Sequence, residues 1–402
     1  MRIQRQPPLH LTYCLSVHGG ETWDEAFSAI RCHVPAIRRM LGRGEDFGLG
    51  LRLSGRAASE LAAGGRLAEF KRHLADHGLY VFTINGFPYG AFHGTRVKEH
   101  VYEPDWRRPE RLDYTCLLAD ILAGLLPEGV SGSISTVPGS YKAWVTSDRD
   151  VRDMARNLAT CAAHMADVCI RTGREIHLGL EPEPDCFIET TAEAIAFFTG
   201  PLLREGTEWL QERTGCTRGE AEDALRRHVG LCVDTCHMAV GFESLADSLA
   251  RLATARIRIS KVQLSSALRV EGGAAARRRL GAFCDRVYLH QVKTRAGSGG
   301  MGAFPDLEPA LEHGGDATDA AEWRVHCHVP LYFDRDGELE STNAALTPDF
   351  FRALRGGATE HLEIETYTFN VLPKAIRDRG VCESVAEEYR WVLRRIEAAG
   401  GG

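Results

Sequence analysis

Short apolar runs alternate along this chain with longer stretches whose apolar residues recur at helical spacing, and the alternation repeats eight times. Residues 11–17, 49–53, 80–84, 132–137, 176–180, 229–233, 259–264 and 361–366 read as buried strands. Between them, stretches such as 23–41, 60–77, 149–171 and 245–253 read as amphipathic helices. A strand repeatedly followed by a helix predicts an α/β fold with a parallel sheet. Eight such units predict a closed (β/α)8 barrel, with residues 1–402 forming one domain. A doubly wound open sheet is the alternative architecture. No GxGxxG follows the first strand, however, and polar strand ends are spread over the whole chain.

Two connections are longer than such a fold usually needs. Residues 85–109 are dense in aromatics and include His93, Lys98 and Asp105. Residues 265–348 separate the seventh and eighth strands and contain two further strand-like runs, 287–292 and 323–333, so they read as an insertion near the barrel mouth. Both segments are expected to wall a pocket, the alternative being surface decoration. The glycine-rich stretch 296–302 reads as a flexible turn, because no helix with a GK[ST] ending follows it.

Composition excludes several classes of function. With a formal net charge of −7, the chain has no electrostatic footprint for nucleic acid, and no apolar segment reaches the roughly 18 residues of a membrane helix. The N-terminal stretch is broken by His10, Thr12 and His18 and does not read as a signal peptide. Twelve cysteines form no CxxC pair, which points to a reduced, cytoplasmic setting.

The chemistry sits where apolar runs stop. The run 229–233 ends in Asp234-Thr-Cys-His237, which places a carboxylate and an imidazole at the end of a strand, where barrel enzymes keep their sites. The plainer reading is that Asp234 caps the next helix and His237 packs against it. The fifth strand ends in Glu181, followed by Glu183 between two prolines, where the chain is expected to be leaving the barrel. The seventh strand ends at Gln263, either a neutral oxygen ligand or a satisfied core amide. The eighth carries Glu363 and Glu365 on one face, with Glu365 nearer the mouth. His326 and His328, at i, i+2 spacing, point to one side of an extended chain and can meet one metal or one substrate. Oxygen ligands with some imidazole suit Mn²⁺, Mg²⁺, Co²⁺ or Zn²⁺, so one divalent ion is expected among Glu181, Asp234, Gln263 and Glu365, with a second possible near His237 or His328.

Several longer motifs carry a resemblance. They are Thr83-Ile-Asn-Gly-Phe-Pro-Tyr-Gly90 with Val97-Lys-Glu99 and Pro104-Asp-Trp106, then Leu180-Glu-Pro-Glu-Pro184, Val233-Asp-Thr-Cys-His237, Leu289-His-Gln291, His326-Cys-His-Val-Pro-Leu-Tyr332 and Leu362-Glu-Ile-Glu-Thr-Tyr367. Through them nearly the whole chain resembles the EboE family of metabolite-traffic proteins, within the xylose-isomerase-like barrel superfamily. The sugar-epimerase branch of that superfamily implies one metal held by Glu, Asp, His and Glu. Glu181, Asp234 and Glu365 match, and Gln263 stands where histidine is usual. The Asp-Thr-Cys-His motif also resembles the endonuclease IV branch, which implies zinc and further histidines.

The reading that follows is a metal-dependent isomerase or epimerase acting by proton transfer on a polyhydroxylated carbonyl compound: a sugar, a sugar phosphate or a cyclitol ketone. Glu181 and Glu365 would move the proton, His237 would orient a hydroxyl, and Lys98 would bind an anionic substituent or protonate an oxygen. Asn85, Phe87, Tyr89, His93, Trp106, His326 and His328 would contact substrate, the aromatics of the loop excluding water. A carrier that binds a small polyol or sugar-like metabolite without turning it over is the alternative. Metal-dependent phosphoester hydrolysis is a third reading.

Overall fold

A computed structural model describes residues 1–90, 98–271, 273–284, 288–313, 320–366 and 378–400. The N-terminal hairpin pairs β1 (Arg2–Gln4) with β2 (Leu9–Tyr13). The parallel strands β3 (Phe47–Arg52), β4 (Leu79–Asn85), β5 (Gly132–Thr136), β6 (Ile176–Leu180), β7 (Val229–Asp234) and β8 (Ile259–Leu264) then run side by side in chain order. The late strand β15 (His361–Ile364) inserts between β8 and β2, parallel to both. A parallel bridge from Cys14 to Gly50 joins the end of β2 to β3. Eight parallel strands, β2 to β8 and β15, therefore close into a (β/α)8 barrel, and all eight lie within the expected runs or shifted by a few residues.

Local chemistry explains the helix boundaries. The helix Trp23–Leu41 starts at a capping box, in which the Thr22 side chain accepts from the Glu25 amide and Glu25 reaches back, and it stops at Gly42 with φ 64°. Residues 60–77, expected as one helix, are divided between Gly55–Ala62 and Arg66–Asp76. Gly64 and Gly65 stand between them with φ of 63° and 79°, values that end a right-handed helix and suit glycine alone without strain.

Alternation along the strands sorts the barrel interior into layers. Lys261 and Glu363 occupy a lower layer, both fully buried, with Nζ 2.5 Å from Oε2. Lys261 Nζ also reaches Thr83 Oγ1 at 3.3 Å, and Ser133 donates to Thr83. Room for this layer comes from Gly50, where an added methyl would run into Glu363 Oε1 and the Tyr13 carbonyl. Two residues further along the same strands, Gln263 and Glu365 face the mouth.

Between β8 and β15 the chain builds a second, antiparallel sheet. Its strands are β9 (Ser266–Glu271), β10 (Val292–Ala296), β11 (Met301–Phe304), β12 (Ala320–Val329), β13 (Arg335–Asp336) and β14 (Leu339–Ser341), in the order β11-β10-β12-β9-β14-β13. Leu268, Val270, Val292, Trp323 and Val325 form its own apolar core. Of the strand expected over 287–292, residue 287 lies outside the described residues, 288–291 are not strand, and β10 starts at Val292. His290 and Gln291 are instead held by side-chain bonds at the cavity, the His290 amide donating to Asp306 Oδ1 at 3.1 Å and Gln291 Nε2 to the Pro184 carbonyl at 3.1 Å. The glycine-rich stretch 296–302 holds the turn of the β10–β11 hairpin. Among the described residues no helix is long and apolar enough to cross a membrane, and none of the twelve cysteines is in a disulfide.

Candidate functional site

Glu181, Asp234 and Glu365 follow or end β6, β7 and β15, and one ligand oxygen from each lies within 4.8 Å of the others. All three side chains are buried. Glu181 Oε2, Asp234 Oδ2 and Glu365 Oε2 have no hydrogen-bond partner. Three buried carboxylates this close, each with an oxygen lacking a partner, are unfavourable unless protons or a cation intervene. The arrangement therefore fits a divalent ion bound by hard oxygen donors.

Each carboxylate is aimed by its other atoms. Asp234 Oδ1 accepts from the amides of Cys236 and His237 at 2.7 and 3.1 Å and from Ser265 Oγ at 3.0 Å, so it caps the helix Thr235–Val240. The capping reading of Asp234 is met by Oδ1, and its reading as a ligand rests on Oδ2, which has no partner. Glu365 Oε1 accepts from Asn85 Nδ2 at 2.9 Å, and Asn85 Oδ1 holds the Phe87 amide at 3.0 Å. For Gln263, expected as a neutral oxygen ligand or a core amide, Oε1 accepts from the Cys232 thiol at 2.7 Å and Nε2 has no partner, an arrangement that matches the core-amide alternative more nearly.

Three imidazoles adjoin the carboxylates. His326 Nε2 lies 3.2 Å from His328 Nε2, which lies 3.3 Å from His237 Nε2. The i, i+2 pair on β12 therefore meets the histidine of the Asp-Thr-Cys-His motif. Burial is the main force pulling the His237 imidazole down to about 4 and holding His326 well below the ordinary histidine range. Glu183 does not leave the barrel as its flanking prolines suggested. It turns back into the cavity, accepts from the Tyr102 hydroxyl at 2.9 Å, and is pushed up to about 8, chiefly by burial. Glu181 and Glu365 are raised well above the carboxylate range, first by burial and then by the negative groups beside them.

Of the described residues of the loop after β4, Asn85, Phe87, Pro88, Lys98, Val101 and Tyr102 line the cavity, together with Leu289. Tyr89 and Trp106 are corrections, since both rings are used in packing. Tyr89 stands edge-on to Tyr114, centroids 5.0 Å apart, and covers Gly55, while the buried Trp106 donates to Thr136 Oγ1 at 3.2 Å. His93 lies outside the described residues. Lys98 Nζ bonds Asp306 Oδ2 at 2.5 Å and the Tyr288 carbonyl at 2.8 Å, so its charge is already matched by a carboxylate, contrary to a role as an open anion-binding group. Sequence reasoning missed Tyr102, Gln291 and Asp306, which have polar atoms in this network. Only Gln291 had a signal, as the end of the Leu289-His-Gln291 motif.

No protein-family model matches the chain, and no curated protein does. Among solved structures it is similar to an L-ribulose 3-epimerase, at 13% identity over 97% of this chain and 95% of that one, TM-score 0.49. It is also similar to the IOLI protein with a binding zinc atom, at 12% identity over 98% and 100%, TM-score 0.49. A xylose isomerase domain protein from Alicyclobacillus acidocaldarius gives 14% identity over 97% and 100%, TM-score 0.48.

Proposed function

We propose that the protein is a metal-assisted isomerase or epimerase that moves a proton next to the carbonyl of a polyhydroxylated compound, a sugar, sugar phosphate or cyclitol ketone, within metabolite biosynthesis or export. The observation that supports it is the trio of buried carboxylates that meet within 4.8 Å at the strand ends, each with one oxygen lacking a partner. Glu181, Asp234 and Glu365 would hold a divalent ion there. When bound, such an ion supplies Lewis-acid polarisation of neighbouring substrate oxygens, which makes the adjacent hydrogen acidic. Glu181 and Glu365 are the carboxylates that would carry the proton, one to take it and the other to return it. Asn85 fixes the Glu365 carboxylate through its amide, and Phe87, Val101 and Leu289 provide an apolar wall that limits protonation by water. The resemblance of Glu181, Asp234 and Glu365 to the ligands of the sugar-epimerase branch supports the same reading, while the resemblance to the EboE family of metabolite-traffic proteins supports the carrier alternative.

The three imidazoles beside the carboxylates favour a second reading, hydrolysis of a phosphoester, which needs more than one ion and moves no carbon-bound proton. Deuterium exchange separates them. In deuterated water a polyhydroxy ketone bound at the mouth should gain deuterium beside its carbonyl, and Glu365→Gln should slow this by about 10²- to 10⁴-fold. A ketone shown to occupy the site that gains no deuterium, and that binds Glu365→Gln and Glu181→Gln unchanged, would leave a metabolite carrier instead.

A further inference from the structure

Two chain ends meet at the mouth, and on both the strand ladder slips or stops. β12 pairs with β9 in register up to Val325 opposite Leu268, but its next pair is Val329 with Ser266, so a four-residue step on β12 spans a two-residue step on β9. His328 lies in that slip, and Pro330, which follows the strand, has no amide to extend the ladder. On the barrel side β15 stops at Ile364, after which the Glu365 amide still reaches the Leu264 carbonyl at 3.0 Å. Beyond these points the placement of each chain end rests on side chains.

One helix supplies them. In the first turns of Val381–Ala398, Ser384 and Glu388 stand four residues apart and so on one face. Glu388 Oε1 accepts from the Leu331 amide at 3.1 Å and from the Thr366 hydroxyl at 2.7 Å. Ser384 Oγ lies 2.8 Å from the Tyr332 hydroxyl. Leu331 and Tyr332 form the turn directly after β12, closed by the Phe333 amide on the Pro330 carbonyl at 2.9 Å, and Thr366 directly follows Glu365. A single carboxylate oxygen thus ties the exit of β12 to the exit of β15. Between those exits His328 Nδ1 lies 3.0 Å from the Glu365 carbonyl.

As a mere brace this arrangement is costly. Glu388 is buried, its Oε2 has no partner, and burial pushes its carboxyl up to about 7. An apolar side chain would avoid that cost but would leave the Leu331 amide and the Thr366 hydroxyl unmatched. We propose that Glu388 is a positioning residue, which sets Glu365 and His328 against each other by clipping together the two chain ends that carry them. It does not line the cavity and acts only through its neighbours. The clip stands on its own geometry, while its consequence for ion binding rests on the metal-assisted reading proposed above.

The test uses the full chain after chelator treatment. Amide hydrogen exchange reads the tie to Leu331, and the ring hydrogen of His328, followed by NMR with isotope-labelled histidine, reads the contact with Glu365. In wild type both should be protected from solvent exchange. Glu388→Leu should speed exchange of the Leu331 amide by about 10-fold or more and displace the His328 signal, and Glu388→Gln, which keeps an acceptor oxygen, should restore both. Added Mn²⁺ should bind Glu388→Leu about 10-fold more weakly than wild type or Glu388→Gln. An unprotected Leu331 amide or His328 ring hydrogen in wild type, a His328 signal unchanged in Glu388→Leu, or a glutamine variant as altered as the leucine variant would each overturn the proposal. The wild-type readings require no variant to fold. Wild type that shows both protections and binds no Mn²⁺ would count against the metal-assisted reading alone.

Discussion

Glu183→Gln should make the chelator-treated protein more stable at neutral pH. In the folded chain burial holds this carboxyl up at about 8, against 4.5 for the ordinary side chain. Between those values the folded state retains a proton that the unfolded chain has released. Stability therefore falls as pH rises through this window, by about 1.4 kcal/mol per pH unit. The accumulated cost is about 3 kcal/mol at pH 7 and reaches a ceiling of about 5 kcal/mol above pH 8. Glutamine has the same shape, can accept from Tyr102 as Glu183 does, and does not titrate. Denaturant unfolding across this range should show the two proteins equal near the ordinary carboxyl pKa and the variant increasingly favoured above it. A gap that stays constant with pH, or a variant less stable than wild type at pH 7, would refute the argument that burial dominates this residue.

Two further outcomes follow from the geometry. Asp234→Asn should keep the helix Thr235–Val240 capped, because asparagine caps about as well as aspartate, while divalent-ion binding at the carboxylate cluster drops; Asp234→Ala should lose about 1 kcal/mol more, measured by unfolding with chelator present. Lys261→Met leaves Glu363 buried without its partner and should cost about 3–5 kcal/mol in denaturant unfolding, with Lys261→Met/Glu363→Leu recovering most of it.

The barrel was legible because parallel strands buried on both faces read as short apolar runs, and their ends as abrupt polar residues. That logic located Glu181, Asp234 and Glu365, and period-2 alternation separated Glu365 at the mouth from Glu363 below it. Alternation could not show that Glu363 is matched by Lys261, two strands being needed to see one pair. Gln263 stayed open between ligand and core amide for a related reason, since its contact with Cys232 lies on the neighbouring strand. Tyr89 and Trp106 misled because an aromatic-rich loop supplies its own packing as well as a cavity wall. Glu183 was visible in the sequence, but a flanking proline restricts the backbone without stating where the chain turns next.

The mouth of this barrel is reached by two independently anchored sets of donors. The carboxylates ride on three strands locked into the closed ladder, whereas His326 and His328 ride on one strand of a sheet with a separate apolar core. Sequence change confined to β12 could therefore exchange nitrogen donors for other side chains without disturbing the barrel that positions the oxygens. Such a design gives the scaffold two separable controls, one over the ion it holds and one over what the opening admits, and an engineer could vary them one at a time.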